Sequence, residues 1–272
     1  MWRLASRLVG EGLGLALVGI SVGFVGHSTV ALRTPDFGIL TDPLLRSTVA
    51  FLRRTTPPPT PRQLPRPDVV LLSHLHHDHT DLPSLRMLGA SRLIVAPPGG
   101  ADFLSDRGFG NVREAVVGEA LALAAGVTVL PVPAVHDGGR TPRGPRATAV
   151  GYQIELAGRR IYFAGDTDIF PEMAELAPVD VALLPVWGWG PNLGPGHMDP
   201  VRAAEAAGLL RARIAVPIHW GTYFPAGMKS VLPGAGNLLT DPPCQFQRLC
   251  EDRAADTQVV VLAPGESLEL SS

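Results

Sequence analysis

Histidine and aspartate side chains that can bind metal ions are concentrated in one short segment of the sequence. Residues 73–83, SHLHHDHTDLP, contain four of the eight histidines and two aspartates. On an extended turn, His74 and His76 can face one ion, while Asp78 and His79 can face a second ion close by. The spacing H-x-H-x-D-H therefore predicts a site for two cations.

Further metal-binding side chains follow apolar segments that are predicted to be strands. His136 comes after LPVPAV, Asp166 after IYFAG, and His219 at the end of IAVPI. Strand ends that meet at one edge are where mixed folds place their sites. Two nearby cations repel each other strongly, so they need a shared anionic ligand, for which Asp166 is the natural candidate. His136 then completes the first site and His219 the second, and an open position for water indicates a catalytic centre.

Four other residues, two histidines and two tryptophans, are candidates for a role beside the ions or in contact with substrate. His77 is interpreted as a surface or supporting residue, because its two neighbours already point towards the ions. His197, in the glycine-rich segment GPGHMDP, is predicted to bind a substrate oxyanion or to transfer a proton. Trp187 and Trp189, in WGWGPNLGPG, form either a mobile aromatic wall or a tight loop that packs one tryptophan on the core.

The elements that must position these residues alternate between apolar runs and helical patterns, which predicts a mixed α and β fold with more strand than helix. The predicted strands are residues 15–25, 28–32, 37–43, 68–73, 92–96, 127–135, 149–156, 159–166, 180–186, 213–220 and 257–270. The predicted helices are residues 81–89, 171–177, 199–209 and 243–254. Asp81 and Asp199 are expected to cap two of these helices at their first turn, and Gly89 to end the first one. The proline-rich segment 53–68 is expected to be an exposed connector or lid.

Composition limits the classes of function. The 272 residues carry a net charge of −2 and no clustered basic segment, which disfavours a nucleic-acid partner. Cys244 and Cys250 are too few for a disulfide framework, so we expect reduced thiols and a cytoplasmic location. The apolar run near the N-terminus is interrupted by Glu11 and lacks a cleavage pattern, so we expect neither a signal peptide nor stable membrane insertion. Residues 1–272 are expected to form a single domain.

The segment HLHHDH, with His136, Asp166 in GDT and His219, resembles the metallo-β-lactamase superfamily over nearly the whole chain. This resemblance implies an α+β fold, a four-layer αββα sandwich with a dinuclear site at one edge between the sheets. The segments FVGHSTVAL, TDPLL, VALLPVWG and PIHWGTY are similar to the branch with L-ascorbate-6-phosphate lactonase and N-acyl phosphatidylethanolamine phospholipase D-like hydrolases. His27 in GHST lies where that branch has a histidine beside the site, with a simple turn residue as the alternative. Two features depart from the phospholipase D-like pattern: the shorter chain, and Asp137-Gly138 where Trp-Ser is expected.

The resemblance and the residues together predict a metal-dependent hydrolase. A hydroxide between two divalent ions would be the nucleophile, Asp78 would bind metal and orient it, and His197 or water would protonate the leaving oxygen. Zinc is the first choice of metal, and manganese or iron fits the same ligands. The first choice of substrate is a phosphodiester, small or lipid-like, and the second is a lactone or other carbonyl ester. A di-iron redox protein and a non-catalytic metal-binding protein are further alternatives, and both a monomer and an oligomer are compatible with the sequence.

Overall fold

A computed structural model describes residues 7–9, 19–59, 66–188, 193–231 and 234–271. Its first sheet has eight strands, in the spatial order β1-β18-β2-β3-β4-β7-β8-β9. These strands are β1 (Arg7–Val9), β2 (Ile20–Gly26), β3 (Thr29–Arg33), β4 (Gly38–Thr41), β7 (Val69–Leu71), β8 (Leu93–Ala96), β9 (Val112–Glu114) and β18 (Ser267–Leu270). Strands β4, β7, β8 and β9 run parallel, so their carboxyl ends share one edge.

The second sheet has seven strands, in the spatial order β10-β11-β12-β13-β14-β15-β17. These strands are β10 (Leu121–Ala124), β11 (Val127–Pro133), β12 (Val150–Leu156), β13 (Arg159–Phe163), β14 (Val181–Pro185), β15 (Ile214–Ile218) and β17 (Gln258–Val259). Strands β13, β14, β15 and β17 are parallel. Every residue of β14 and of β15 is buried, as expected for parallel strands covered on both faces.

The helices cover the outer faces of the two sheets. They are α1 (Leu82–Leu88), α2 (Ala101–Ser105), the 3₁₀ helix η1 (Pro171–Leu176), α3 (Pro200–Leu209), α4 (Met228–Val231) and α5 (Ala235–Arg253). Side chains of β7 and β8 pack against α1 and α2, whereas β14 and β15 pack against α3 and α5. A third apolar cluster fills the space between the sheets. The resulting four layers confirm the predicted αββα sandwich.

Helix ends were predictable where a capping residue is present. The Asp81 carboxylate accepts a hydrogen bond from the Ser84 amide, and helix α1 ends at Gly89, whose φ is +101°. The Asp199 carboxylate accepts from the Arg202 amide at the start of α3. Both predicted N-caps are therefore confirmed, and each is followed by a proline in the first turn, where a missing N–H costs nothing.

Two predicted element bounds are wrong. Helix α5 begins at Ala235, eight residues before the predicted start, and contains Pro242 and Pro243 in its interior. The proline pair is typical of a first turn, and the packing of α5 on α3 overrides that local preference. The predicted strand 257–270 divides into β17 and β18, which belong to different sheets.

The proline-rich segment is only partly an exposed connector. A small sheet of β5 (Thr48–Val49), β6 (Leu52–Arg54) and β16 (Tyr223–Pro225) includes its first two residues. Arg54 is 8% exposed because its guanidinium donates to the Val25 and Leu44 carbonyls. The prediction of exposure was therefore wrong at Arg54.

Some sequence expectations fall on residues that the structure leaves undescribed. Residues 60–65 of the proline-rich segment, residues 15–18 of the first predicted strand, and Trp189 lie outside the described residues. Within the described ranges, no helix is both long enough and apolar enough to cross a membrane.

Candidate metal centre

The candidate centre lies where the carboxyl ends of strands from both sheets meet. His74 follows β7 of the first sheet, while Asp166 and His219 follow β13 and β15 of the second. The sheets approach closely here, because a Cβ atom at Gly165 would lie 2.5 Å from the Ser73 Cβ. Gly165 also has φ +60°, a conformation that side chains other than glycine rarely adopt. The glycine before Asp166 therefore allows its carboxylate to reach the histidines of the other sheet.

Three imidazole nitrogens converge in the first group, which consists of His74, His76 and His136. His76 Nδ1 lies 3.0 Å from His74 Nε2 and 3.2 Å from His136 Nε2. The far nitrogen of His136 donates to the Gly196 carbonyl at 2.9 Å, so its Nε2 carries a lone pair. A cation placed among these three nitrogens could accept a lone pair from each ring.

The tautomer of His74 follows from its neighbour Ser73. The single hydroxyl proton of Ser73 goes to the Asp42 carboxylate, 2.5 Å away, so Ser73 Oγ can only accept from His74 Nδ1, at 2.9 Å. His74 Nε2 is therefore unprotonated and points at His76. The first group thus presents imidazole lone pairs in the arrangement that a divalent metal ion needs.

The second group consists of Asp78, His79 and His219. His79 Nε2 and His219 Nε2 are 3.3 Å apart, and Asp78 Oδ2 lies 3.8 Å from His79 Nε2. His219 Nδ1 donates to the Trp187 carbonyl at 2.6 Å, which leaves its Nε2 as an acceptor. His79 Nδ1 donates to the buried Asp42 carboxylate at 2.7 Å. Each imidazole is therefore oriented by a bond on the side away from the centre, as metal-binding histidines usually are.

Asp166 lies between the two groups. Its Oδ2 is 3.3 Å from both His79 Nε2 and His219 Nε2, and one of its oxygens lies within 4.8 Å of ligand atoms of His136 and His197. Its Oδ1 is buried and has no hydrogen-bond partner among the described residues. A buried carboxylate oxygen without a donor is costly, and a cation is the partner that this donor set would accept.

The pKa values of the side chains in the centre depend on their burial and on the charges of neighbouring side chains. Burial lowers the pKa of His76 to about 4 and that of His219 to about 3, so both rings are neutral at pH 7. Burial alone would raise the pKa of Asp166, but the neighbouring His219 and His79 outweigh it and hold this pKa well below its usual value. At His79, burial alone would lower the pKa, but the negative charges of Asp166 and Asp78 outweigh this effect and raise the pKa well above its ordinary value. His79 thus holds the proton that a cation would displace.

Asp42 is a functional residue that the sequence reasoning missed. It is fully buried and accepts from the Ser73 amide, the Ser73 hydroxyl and His79 Nδ1, so it orients one histidine of each group. Burial raises its pKa above the usual value despite these donors. The available signal was its position directly after β4, which is the parallel neighbour of β7.

His27 is placed at the second group. Its Nε2 lies 3.0 Å from Asp78 Oδ2, and its ring centroid is 3.9 Å from that of His219. Its carbonyl accepts from the His219 amide at 2.8 Å, and both residues have positive φ, +58° and +60°. Each of these two non-glycine residues lies in its own constrained turn, and the hydrogen bond between the two turns holds both rings in place.

The other candidate residues lie at different distances from the centre. His197 is partly exposed, with its Nε2 4.0 Å from Asp166 Oδ2 and its ring centroid 4.7 Å from that of His136. His77 is exposed, and its Nδ1 faces the Arg140 guanidinium at 3.1 Å. Trp187 is 6% exposed and its ring stacks on Phe224, which matches the core-packing alternative, and its carbonyl accepts from His219 Nδ1 in the second group.

A cavity of about 340 Å³ opens over the two groups. Its floor includes His76, Asp78, Asp166 and His219. Part of the wall is apolar and comes from the β5–β6 hairpin, residues 49–52, which the sequence did not predict as a wall. The cavity can therefore hold a small organic molecule directly above the candidate ligand atoms.

Comparison with known proteins agrees with this architecture. Residues 38–220 match the family model described as a beta-lactamase superfamily domain. A UPF0173 metal-dependent hydrolase of Thermococcus kodakarensis is 33% identical over 92% of this chain and 100% of its own length. The N-acyl-phosphatidylethanolamine-hydrolyzing phospholipase D 1 of Caenorhabditis elegans is 28% identical over 93% of this chain and 76% of its own. The structure of Igni18, a metallo hydrolase of Ignicoccus hospitalis, superposes with a TM-score of 0.69 and 25% identity, covering 93% and 99% of the two chains.

Proposed function

The chain belongs to the metallo-β-lactamase superfamily of metal-dependent hydrolases, and we propose that it binds two divalent cations and hydrolyses a phosphodiester. The observation that carries this proposal is the position of Asp166. Its carboxylate lies between the two histidine groups, with Oδ2 3.3 Å from two imidazole nitrogens and Oδ1 buried without a donor in the described chain. Oδ2 contacts the second group, and one oxygen of the same carboxylate lies within 4.8 Å of His136 in the first group, so Asp166 is positioned to be the shared anion that two adjacent cations require.

Each proposed ion has its own set of protein ligands. His74, His76 and His136 would hold the first ion, whereas Asp78, His79 and His219 would hold the second. With Asp166, each ion has four protein ligands. Zinc is our first choice because imidazole and carboxylate suit it, and manganese and iron accept the same ligands.

When bound, two such cations supply a hydroxide nucleophile at neutral pH and polarise a phosphoryl oxygen. The residues of this chain hold the candidate ligands for that chemistry in fixed orientations. Asp78 is held by His27 Nε2 at 3.0 Å, which fixes the carboxylate oxygen facing the second group. Asp42 and the Gly196 and Trp187 carbonyls hold the far sides of the histidine rings, so their lone pairs keep a single direction.

His197 is proposed to donate a proton to the leaving oxygen. It lines the cavity and its side chain is 30% exposed, so it can contact both substrate and solvent. Its Nε2 is 4.0 Å from Asp166 Oδ2, which places it at the edge of the ligand set rather than inside it. A histidine at that position can act as a general acid without being needed to hold an ion.

Phosphodiesters are favoured over lactones for two reasons. Two adjacent cations stabilise both the attacking and the leaving oxygen of an in-line displacement at phosphorus. In addition, the Caenorhabditis elegans relative, which covers most of this chain, is named for phospholipase D activity. The apolar residues 49–52 along the cavity would suit a lipid-like or other apolar arm of such a substrate.

Side-by-side turnover assays test the proposed reaction. Forms of the protein loaded with zinc, manganese or iron are given bis(p-nitrophenyl) phosphate, a glycerophospholipid and a panel of sugar and acyl lactones. We expect cleavage of at least one phosphodiester, and its loss in Asp78→Asn. Lactone turnover without phosphodiester cleavage under any metal would replace the proposed reaction by the lactonase alternative. Inactivity on every substrate would favour the non-catalytic alternative.

A further inference from the structure

One permanent positive charge faces the cavity beside the metal groups. Among the described residues that line the cavity, Arg140 is the one arginine or lysine. The two lining carboxylates, Asp78 and Asp166, both face His79 Nε2 of the second group. Within the described chain, no carboxylate lies within 4.0 Å of the Arg140 guanidinium to neutralise it.

The Arg140 side chain is fixed in place. Its Nη1 donates to the Leu75 carbonyl at 3.0 Å and to the Thr80 carbonyl at 2.8 Å. Its guanidinium also lies 5.0 Å from the centroid of the Phe103 ring. These contacts tie the arginine to the segment that carries the histidine cluster, so the position of its charge relative to that cluster is set by the fold.

The guanidinium retains donors for a ligand. Arginine has five N–H groups, and its partners in the described chain are two carbonyls and His77 Nδ1, the last at 3.1 Å from Nη2. One N–H of Nη2 and the Nε–H therefore have no protein acceptor there. These two donors on one guanidinium remain available for a carboxylate or phosphate oxygen.

We propose that Arg140 forms a subsite for an anionic group at one end of the substrate, which makes the cavity specific for molecules with one anionic and one apolar arm. The proposal rests on the proposed function, because it takes the two cations as the anchor for the central phosphoryl group. The apolar arm would lie along residues 49–52, and the anionic arm would reach Arg140. Arg140 is thus a specificity-determining residue that takes no part in bond cleavage.

Binding of inert phosphonates tests this subsite without any turnover. The probes are ω-carboxyalkylphosphonates with two to five methylene groups, each paired with the ω-hydroxyalkylphosphonate of the same length. In calorimetric titrations of the zinc-loaded protein, we expect one carboxylate compound to bind at least about tenfold more tightly than its hydroxyl partner, which corresponds to ~1.4 kcal/mol. In Arg140→Gln the preference should fall to within about twofold, while binding of the hydroxyl compounds is retained.

Two further variants control for charge and folding. Arg146→Gln removes the same charge from the same loop, but Arg146 is 63% exposed, pairs with Asp137 and does not line the cavity, so the preference should persist. Arg140→Lys keeps the charge without the planar pair of donors and should retain part of the preference. Zinc content at the wild-type level in Arg140→Gln shows that loss of the two carbonyl contacts has not disturbed the centre.

The outcomes separate the two proposals. If phosphonates bind but the carboxylate gives no advantage at any length, or if Arg140→Gln keeps the advantage, the subsite is wrong and the proposed phosphodiesterase is unaffected. If no phosphonate binds to the zinc-loaded protein, the phosphoryl site itself is wrong and the subsite is rejected with it.

Discussion

The two groups of ligands differ in composition and exposure. The first group, His74, His76 and His136, offers imidazole nitrogens alone, and His76 and His136 are only partly buried. In the second group, His79 and His219 are buried and lie beside the carboxylates of Asp78 and Asp166. An ion in the second group would therefore be more fully neutralised by carboxylate charge. The difference indicates that the two ions would be held unequally, and that residues shared by both groups matter most.

The largest effect is expected at Asp166, the residue that lies between the two groups. Asp166→Ala removes the shared carboxylate, so the protein should lose at least one of the two ions and its turnover should fall by about 10³-fold. Elemental analysis and the phosphodiesterase assay check this result. Asp168→Asn is the matched control, because Asp168 pairs with Arg202 and not with a histidine of the centre. Unchanged metal content in Asp166→Ala would remove the basis for a shared ligand.

A smaller effect is expected from the residue that orients one histidine of each group. In Asp42→Asn, the amide of the new side chain can turn an N–H towards His79 and favour the tautomer whose Nε2 is protonated and cannot bind metal. Affinity for metal should fall by about 10- to 100-fold, as is usual when the partner of a ligand is lost. Competition with a metal chelator of known affinity measures the change. Wild-type affinity in a folded Asp42→Asn protein would contradict the role assigned to Asp42.

The next variant tests whether His197, which lies beside the ligand set, is needed for catalysis but not for metal binding. His197→Ala should keep both ions and lower turnover by about 10²-fold, the scale of a general acid. The readouts are metal content and the rate of hydrolysis of a phosphodiester with a poor leaving group, compared with a nitrophenyl ester that needs no proton. Equal losses on both substrates would argue against proton donation, and full activity would make His197 structural.

The smallest effect is expected at the apolar wall. Phe51, at the tip of the β5–β6 hairpin, is 54% exposed and lines the cavity. Phe51→Ala should raise KM for a substrate with an apolar arm by several-fold, equivalent to about 1 kcal/mol of buried apolar surface, with little change in kcat. A lowered kcat with an unchanged KM would place Phe51 outside the substrate site.

The sequence predicted the clustering of the candidate metal ligands better than the residues around them. The H-x-H-x-D-H spacing and the strand ends identified side chains that the fold brings together. Both the type of a candidate ligand and its position after a parallel strand can be recognised in a short stretch of sequence. Asp42 also follows a strand directly, but its role depends on contacts with Ser73 and His79, which follow a different strand and which the sequence does not show. The donors left over on Arg140 likewise depend on where the Leu75 and Thr80 carbonyls lie.

In the fold too, elements with a clear local sequence pattern were predicted, whereas elements that depend on contacts with other parts of the chain were not. Buried parallel strands such as β14 and β15 are continuous apolar runs, and their ends were predicted to within one or two residues. The strands β5, β6 and β16 contain two or three residues each, which is too short to show a periodic pattern in the sequence, and β16 pairs with the distant β6. Helix α5 was predicted too short because its proline pair outweighed the packing on α3 that the sequence does not display.

Metal content of the protein as purified tests the central claim most directly. The chain is expressed in medium with zinc, manganese and iron, purified without chelators, and analysed for metals, with anomalous diffraction to locate each ion. The two ligand groups predict close to two ions per chain, one at His74, His76 and His136 and one at Asp78, His79 and His219, with Asp166 between them. Fewer than about half an ion per chain, or a single ion outside both groups, would contradict the dinuclear site.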